Sequence, residues 1–219
     1  MSVLVYIESE NNKFKKSSYE ALSYGKALSE KMGVKVSGLV INCSDAESLK
    51  AYGPDKILKI DSQDLNEFSS KKYAHAIADV IKSENANVVV LSSTPDSKYL
   101  GAHLSGITDS PFVSNVVELP ESINPFTVKR TCFTNKAFSL TELISDTKII
   151  SITSNSYGLI ENSNDSKTEE IDIKSIDSDQ RILNIEKESG SVTIADAEIV
   201  VSAGRGLKGP ENWEMIETL

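Results

Sequence analysis

An α/β fold built on a Rossmann-like parallel sheet is predicted by three observations. Short, nearly continuous apolar runs recur through the first hundred residues. Amphipathic helical stretches separate them, and glycine or proline marks several junctions. Strands spaced by helices pair in parallel through right-handed crossovers, and such strands are apolar throughout because both sheet faces are covered.

The elements follow in order. Val3 to Ile7 reads as a strand. Ser17 or Ser18 is placed to cap a helix with the apolar stripe Ala21, Tyr24, Leu28 and Met32, closed by Gly33. Val36 to Ile41 is the second strand, followed by a short helical piece through Ala46 and Leu49 and a turn at Gly53-Pro54. Lys56 to Ile60 is the third strand, and Tyr73, Ile77, Val80 and Ile81 line one side of the next helix. Val88 to Leu91 is the strongest β signal in the chain, and a helix beginning near Asp96 carries Leu100, Leu104 and Ile107.

After Pro111 the pattern changes to a β-rich extension, with strands at Val113 to Leu119, Phe126 to Phe133, Ala137 to Leu143 and Lys148 to Thr153. Thr134-Asn135-Lys136 is a hairpin loop. The Ser- and Asn-rich stretch from Asn155 to Lys167 reads as an exposed loop, and Ile171 to Ile176 alternates with the period of a half-buried strand. Arg181 to Gly190 is compatible with either helix or loop. A boundary near Ser189-Gly190 divides a first domain, 1–190, from the start of a second, 191–219. There Ile199 to Ser202 reads as a short buried strand, Gly204-Arg205-Gly206 as a tight basic turn, and Pro210-Glu211 as a first helical turn. This strand–turn–helix opens a domain that the sequence does not complete: Met215, Ile216 and Leu219 share an apolar face with nothing after them to cover it. The chain is therefore expected to be the cut-short front part of a longer protein.

Composition excludes several classes. The 219 residues carry 32 acidic against 23 basic side chains, a net charge of −9, which argues against non-specific nucleic-acid binding. No apolar run approaches the roughly 18–20 residues that span a bilayer, and no export leader precedes the first strand, so a cytoplasmic, non-membrane protein is expected. Cys43 and Cys132 lie far apart with no CxxC or Cys/His neighbourhood, which argues against zinc or iron–sulfur sites and for reduced thiols.

The last twenty residues, from Val200-Val-Ser-Ala-Gly-Arg-Gly-Leu-Lys208 through Glu211-Asn-Trp213, resemble the opening of the flavin-binding domain of electron transfer flavoprotein α subunits, the FixB-type family. There the pattern runs Val-Val-Ser-Gly-Gly-Arg-Gly-Leu-Lys and then Glu-Asn-Phe; here Ala203 replaces a glycine and Trp213 the phenylalanine. Val3-Leu-Val-Tyr-Ile-Glu8, Tyr52-Gly-Pro-Asp-Lys56 and Leu91 to Leu100 extend the resemblance over the whole chain. The resemblance implies the N-terminal portion of an α subunit that forms a heterodimer with a β subunit, with one FAD in the α subunit's C-terminal domain. It implies electron transfer from flavin dehydrogenases, such as acyl-CoA dehydrogenases, to a membrane-associated, quinone-linked acceptor. On this reading the chain is an electron carrier's scaffold rather than an enzyme with its own substrate, and by itself holds little or no FAD.

The candidate sites follow. Arg205, between Gly204 and Gly206, matches the family's FAD-contacting arginine, and the three are the candidate cofactor contacts; the plain alternative is a solvated turn arginine. Gly209 completes a Gly-x-Gly-x-x-Gly spacing, but that spacing is a coincidence available to many loops and is not by itself a dinucleotide fingerprint. Ser92 to Asp96 lies at the C-terminal end of a parallel strand, where open α/β sheets bind ligands. This supports an alternative reading as a free-standing Rossmann-like module for an adenine nucleotide. Against it stand the lack of a glycine cluster, the charge of Asp96, Ser97-Lys98 where the resembled family has Gly-Arg, and that family's placement of its nucleotide outside this domain; helix capping suits the turn better. His75 and His103 have no carboxylate or cysteine at ligand spacing and read as partly buried or interface residues. No Gly-x-Ser-x-Gly elbow or Walker Gly-Lys-Ser/Thr is present, so a hydrolase or transferase has no nucleophile–base pair. Arg130 matches an arginine of the resembled family and is assigned to a partner subunit or neighbouring domain; Thr153-Ser154 stands where that family has Arg-Pro.

Overall fold

The computed structural model of the chain describes residues 1–174, 182–185, 197 and 199–218. Two compact units emerge, Met1–Arg181 and Ile182–Leu219. The expected boundary at Ser189-Gly190 lies outside the described residues.

In the first unit the chain forms β1 (Ser2–Ile7), β2 (Ser9–Glu10), β3 (Lys13–Phe14), α1 (Lys16–Met32), β4 (Lys35–Ile41), a 3-10 turn (Glu47–Tyr52) and β5 (Lys56–Ile60). Next come a second 3-10 turn (Gln63–Leu65), α2 (Ser70–Glu84), β6 (Ala86–Ser92), α3 (Pro95–Thr108) and β7 (Phe112–Val116). β8 (Ser122–Ile123), β9 (Phe126–Cys132), β10 (Ala137–Leu143), β11 (Lys148–Ile152) and β12 (Lys167–Glu170) complete it. The main sheet runs β10-β9-β7-β11-β6-β1-β4-β5-β12, with β8 on the side of β9. From β7 to β12 its pairings are parallel, while β7–β9, β9–β10 and β8–β9 are antiparallel. The β-rich extension thus divides: β7 and β11 enter the parallel core, and β9–β10 hangs on its edge.

The apolar runs of the central strands arise because each strand feeds two cores. Val3, Val5 and Ile7 join one cluster with Ala21, Leu22, Tyr24 and Leu28 of α1, together with Val88, Val90, Ile150 and Ile152. Leu4 and Tyr6 join the other, with Tyr73, Ile77, Val80 and Ile81 of α2, Leu100 and Leu104 of α3, and Val89, Leu91 and Ile149. The chain leaves β1 for β4 on one side, while β6 lies on the other. Right-handed crossovers in opposite directions put α1 and the α2/α3 pair on opposite faces.

Several local details depart from expectation for identifiable reasons. The N-cap of α1 is Lys15, with no side-chain cap bond. Ser18 is instead drawn to β1, where its Oγ accepts from Glu8 N at 2.8 Å and donates to Glu8 O at 3.0 Å. Gly33 closes α1 in the left-handed conformation, as predicted. The ladder expected at Ile171 to Ile176 forms earlier, at β12, where the charged Lys167–Glu170 pairs with β5. Among the described residues of that segment, Ile171 and Ile173 still pack on the core, and Ile171 N bonds Lys59 O. The loop after β11 is solvent-facing but fastened: the buried Glu20 carboxylate accepts from Asn155 N, Tyr157 N and Gly158 N at 2.8–2.9 Å. Ile107 is 37 % exposed rather than part of the α3 core stripe.

In the second unit, the described residues form a 3-10 turn at Arg205–Leu207, another at Pro210–Asn212 and the four-residue α4 (Glu214–Glu217). The turn–helix order matches expectation. The buried strand at Ile199 to Ser202 does not: the segment has no ladder partner among the described residues, and Ile199 is 84 % exposed. An isolated apolar segment has no neighbouring strand to satisfy its backbone, so local composition alone cannot make it a strand.

α1 lies unusually close to the sheet at Gly25, where an added Cβ would come within 2.3 Å of Val5 Cγ2 and 3.6 Å of Val36 Cγ2. Gly25→Ala should therefore lower stability by about 1–2 kcal/mol, overpacking outweighing the helical preference for alanine. Urea denaturation measures this, and an unchanged or raised midpoint would show that α1 shifts away freely.

Candidate functional site

The point where the sheet reverses direction, between the C-terminal ends of β1 and β6, is where an open α/β sheet offers a crevice to ligands. Here that crevice is built around Glu8, the first residue after β1 and only 5 % exposed. Its Oε2 accepts from Thr94 Oγ1 at 2.6 Å, Ser97 Oγ at 3.1 Å and Ser92 Oγ at 3.3 Å. Its Oε1 pairs with Lys15 Nζ at 2.5 Å. Three hydroxyls and an ammonium thus converge on one buried carboxylate, the arrangement that makes burying a charge tolerable.

Local sequence explains each position. β6 ends in Ser92, which carries its hydroxyl to the crevice floor. Thr94 is the N-cap of α3: its Oγ1 accepts from Ser97 N at 3.1 Å while donating to Glu8, and Pro95 opens the helix. The Ser92–Asp96 turn therefore performs the capping expected of it. β2 and β3 pair across Asn11 and Asn12, both at positive φ (50° and 59°), which returns the chain so that Lys15 faces Glu8. A β-hairpin thus stands where a dinucleotide-binding domain has a glycine-rich turn.

The electrostatics follow from this cluster. Burial tends to lower the Lys15 pKa, but the hydrogen bond and charge of Glu8 outweigh it and raise it overall. Asp96, on the solvent-facing first turn of α3, has its carboxyl raised by partial desolvation and by Glu8, with Lys15 opposing. Burial, then Asp96 and Glu8, push the Tyr73 phenol up to about 12; burial, Tyr73, Glu8 and Asp96 hold the Tyr6 phenol well above its usual range. The crevice is thus anionic towards solvent and has no ionised phenol to offer a reaction.

The other predicted residues lie elsewhere. Gly204, Arg205 and Gly206 are exposed on the 3-10 turn of the second unit, where Leu207 N bonds Gly204 O and Lys208 N bonds Arg205 O, both at 3.1 Å. Added Cβ atoms at Gly204 and Gly206 would meet nothing within 4 Å, so the turn is open to an approaching group. One guanidinium on an open turn fits a phosphate contact but is not a complete cofactor pocket. His75 and His103 are exposed rather than partly buried; His103 Nδ1 bonds Ser70 Oγ at 2.8 Å, joining α3 to the start of α2. Cys43 is buried and Cys132 half-buried, both as free thiols. Among the described residues no group of three or more His, Cys, Asp or Glu is placed to hold a metal ion, and no helix is long and apolar enough to cross a membrane.

The fold and this crevice define a Rossmann-like α/β domain whose ligand position is filled by its own side chains. Comparison with known proteins gives the family. Residues 3–178 match the electron transfer flavoprotein domain, and the chain belongs to that family. It is 25 % identical to the electron transfer flavoprotein subunit alpha of Clostridium acetobutylicum over 234 residues, covering 99 % of this chain and 68 % of that one. The Bacillus subtilis subunit alpha is likewise 25 % identical, with the same coverage of both chains. A third relative, the acryloyl-CoA reductase electron transfer subunit beta of Anaerotignum propionicum, is 23 % identical over 57 % of this chain and 35 % of its own length.

Two stability effects follow from the site. Thr94→Ala removes a helix cap and a donor to a buried carboxylate and should cost about 1–3 kcal/mol, largely restored by Thr94→Ser; an effect below about 0.5 kcal/mol in urea denaturation would contradict the network. Asp96 binds its proton more tightly when folded than unfolded, so its contribution is favourable in acid and is lost as pH rises through the carboxylate range. Asp96→Asn should therefore be more stable than the parent at neutral pH, with the gain vanishing towards pH 3, as read by melting temperature across pH.

Proposed function

We propose that this chain is the N-terminal portion of the α subunit of an electron transfer flavoprotein, acting as a scaffold that docks a β subunit. The match to subunits alpha over 99 % of the chain carries the reading. The complete protein would move electrons from flavin dehydrogenases, such as acyl-CoA dehydrogenases, to a quinone-linked acceptor. FAD supplies the redox chemistry when bound in the domain that follows. Gly204 and Gly206 would let that cofactor approach the backbone, and Arg205 would orient its pyrophosphate through charge-assisted hydrogen bonds. The division into domains 1–190 and 191–219 and a cytoplasmic location belong to the same proposal.

The edge of the sheet supports the docking role. Among the described residues β10 is a terminal strand with one side unpaired, and Phe133, Phe138, Leu140 and Ile144 on and around its hairpin are 56–89 % exposed. Arg130, opposite Ser139 in the same hairpin, has a shielded Nε with no hydrogen-bond partner. An open strand edge carrying apolar side chains is a surface that proteins ordinarily cover, and the β subunit is the proposed occupant. The adenine-nucleotide alternative gains no support from a crevice already filled by Glu8.

The test is to mix the chain with an electron transfer flavoprotein β subunit and follow the masses by light scattering. A one-to-one complex without bound flavin is expected, lost in the Phe138→Glu/Leu140→Glu double variant while its melting temperature stays within a few degrees of the parent. A chain that ignores the β subunit, or binds FAD stoichiometrically alone, would defeat the proposal.

A further inference from the structure

The Glu8 carboxylate occupies the place where a sheet of this topology would hold a ligand's phosphate. The donors around it are of the kind that bind such a group: three hydroxyls and one ammonium, set beside the N-terminal end of the fourteen-residue α3. A second observation shows that the carboxylate is fixed there. Glu8 N and O are both bonded to the fully buried Ser18 Oγ, so the residue is clamped to α1 at its backbone and to β6 and α3 at its side chain. A surface glutamate finding casual partners would be pinned at neither.

We propose that Glu8 is a built-in anion that holds the phosphate position of this crevice, so that the domain excludes phosphate monoesters by occupying its own site. The cradle of Lys15, Ser92, Thr94 and Ser97 is then a latent phosphate site that removal of the carboxylate uncovers. Shape and charge both contribute. A phosphate entering now would have to displace a carboxylate satisfied on both oxygens, and would do so beside Asp96. This inference concerns the first unit alone and stands independently of any role in flavin electron transfer.

The experiment compares the parent chain, Glu8→Ala, Glu8→Gln and Glu8→Ala/Asp96→Asn by melting temperature in inorganic phosphate against chloride of equal ionic strength. The parent and Glu8→Gln, whose cradle stays filled, should not respond. Glu8→Ala should rise by about 3–6 °C at phosphate tenfold above its Kd, and the double variant should respond at lower phosphate because one like charge has gone. Adding Lys15→Met to Glu8→Ala should abolish the response. AMP and adenosine separate the sources of the group: AMP should act as phosphate does, and adenosine should not. If Glu8→Ala does not fold alone, phosphate should restore its native circular dichroism where chloride does not. A parent chain that responds as strongly as Glu8→Ala, a folded Glu8→Ala indifferent to phosphate, or an unfolded one that phosphate fails to restore would each overturn the proposal.

Discussion

A carboxylate removed from water must be matched by donors, and at Glu8 the matching fixes the geometry of the domain's centre. One side chain ties the end of β1 to the residue before α1, the end of β6 and the first turn of α3. These are the segments that diverge at the reversal of the sheet, where no backbone ladder can hold them. Removing one partner from such a group leaves a charge or a hydroxyl stranded, and the cost runs to several kcal/mol when the charge is buried. The network therefore positions α3 against β1 more specifically than apolar packing alone would.

The rest of the first unit extends from that centre. Strands that bury both faces need helices on both, and the opposed crossovers from β1 and β6 supply them. Further out the constraints weaken. β12 is fully exposed but charged, a composition that discourages further strand addition. At the opposite end, β10 is apolar and open. The two edges of one sheet thus differ in chemistry, one charged and the other carrying exposed apolar side chains.

Most of the first unit was legible because its signals are local. Apolar runs of four to six residues, helical stripes and the left-handed Gly33 each report on their own neighbourhood, and β1, β4, β5, β6 and α2 stand where those signals place them. Signals that require a distant partner misled. Ser18 has the chemistry of a cap but is claimed by the backbone of Glu8, ten residues back along the chain and outside the window in which a cap is read. The alternation at Ile171 reports burial correctly, yet the ladder belongs to the charged residues before it because β5 offers its edge there. Ile199 to Ser202 has strand composition without a ladder partner among the described residues. Glu8 was visible only as the end of a family-like motif. The cue that could have found it is a single acid closing a wholly apolar strand, with Lys15 seven residues on and a Ser-Ser-Thr turn after the neighbouring strand.

The central claim is that Glu8 and Thr94 act as one unit across the sheet reversal. A double-mutant cycle with Glu8→Gln and Thr94→Val, read by urea denaturation, tests it most directly. The two substitutions keep the shapes nearly unchanged while altering one charge and removing one donor. The network predicts a coupling of about 1–3 kcal/mol between them. Additivity within about 0.5 kcal/mol would mean that the carboxylate and the cap are neighbours without being partners, and the account would fail.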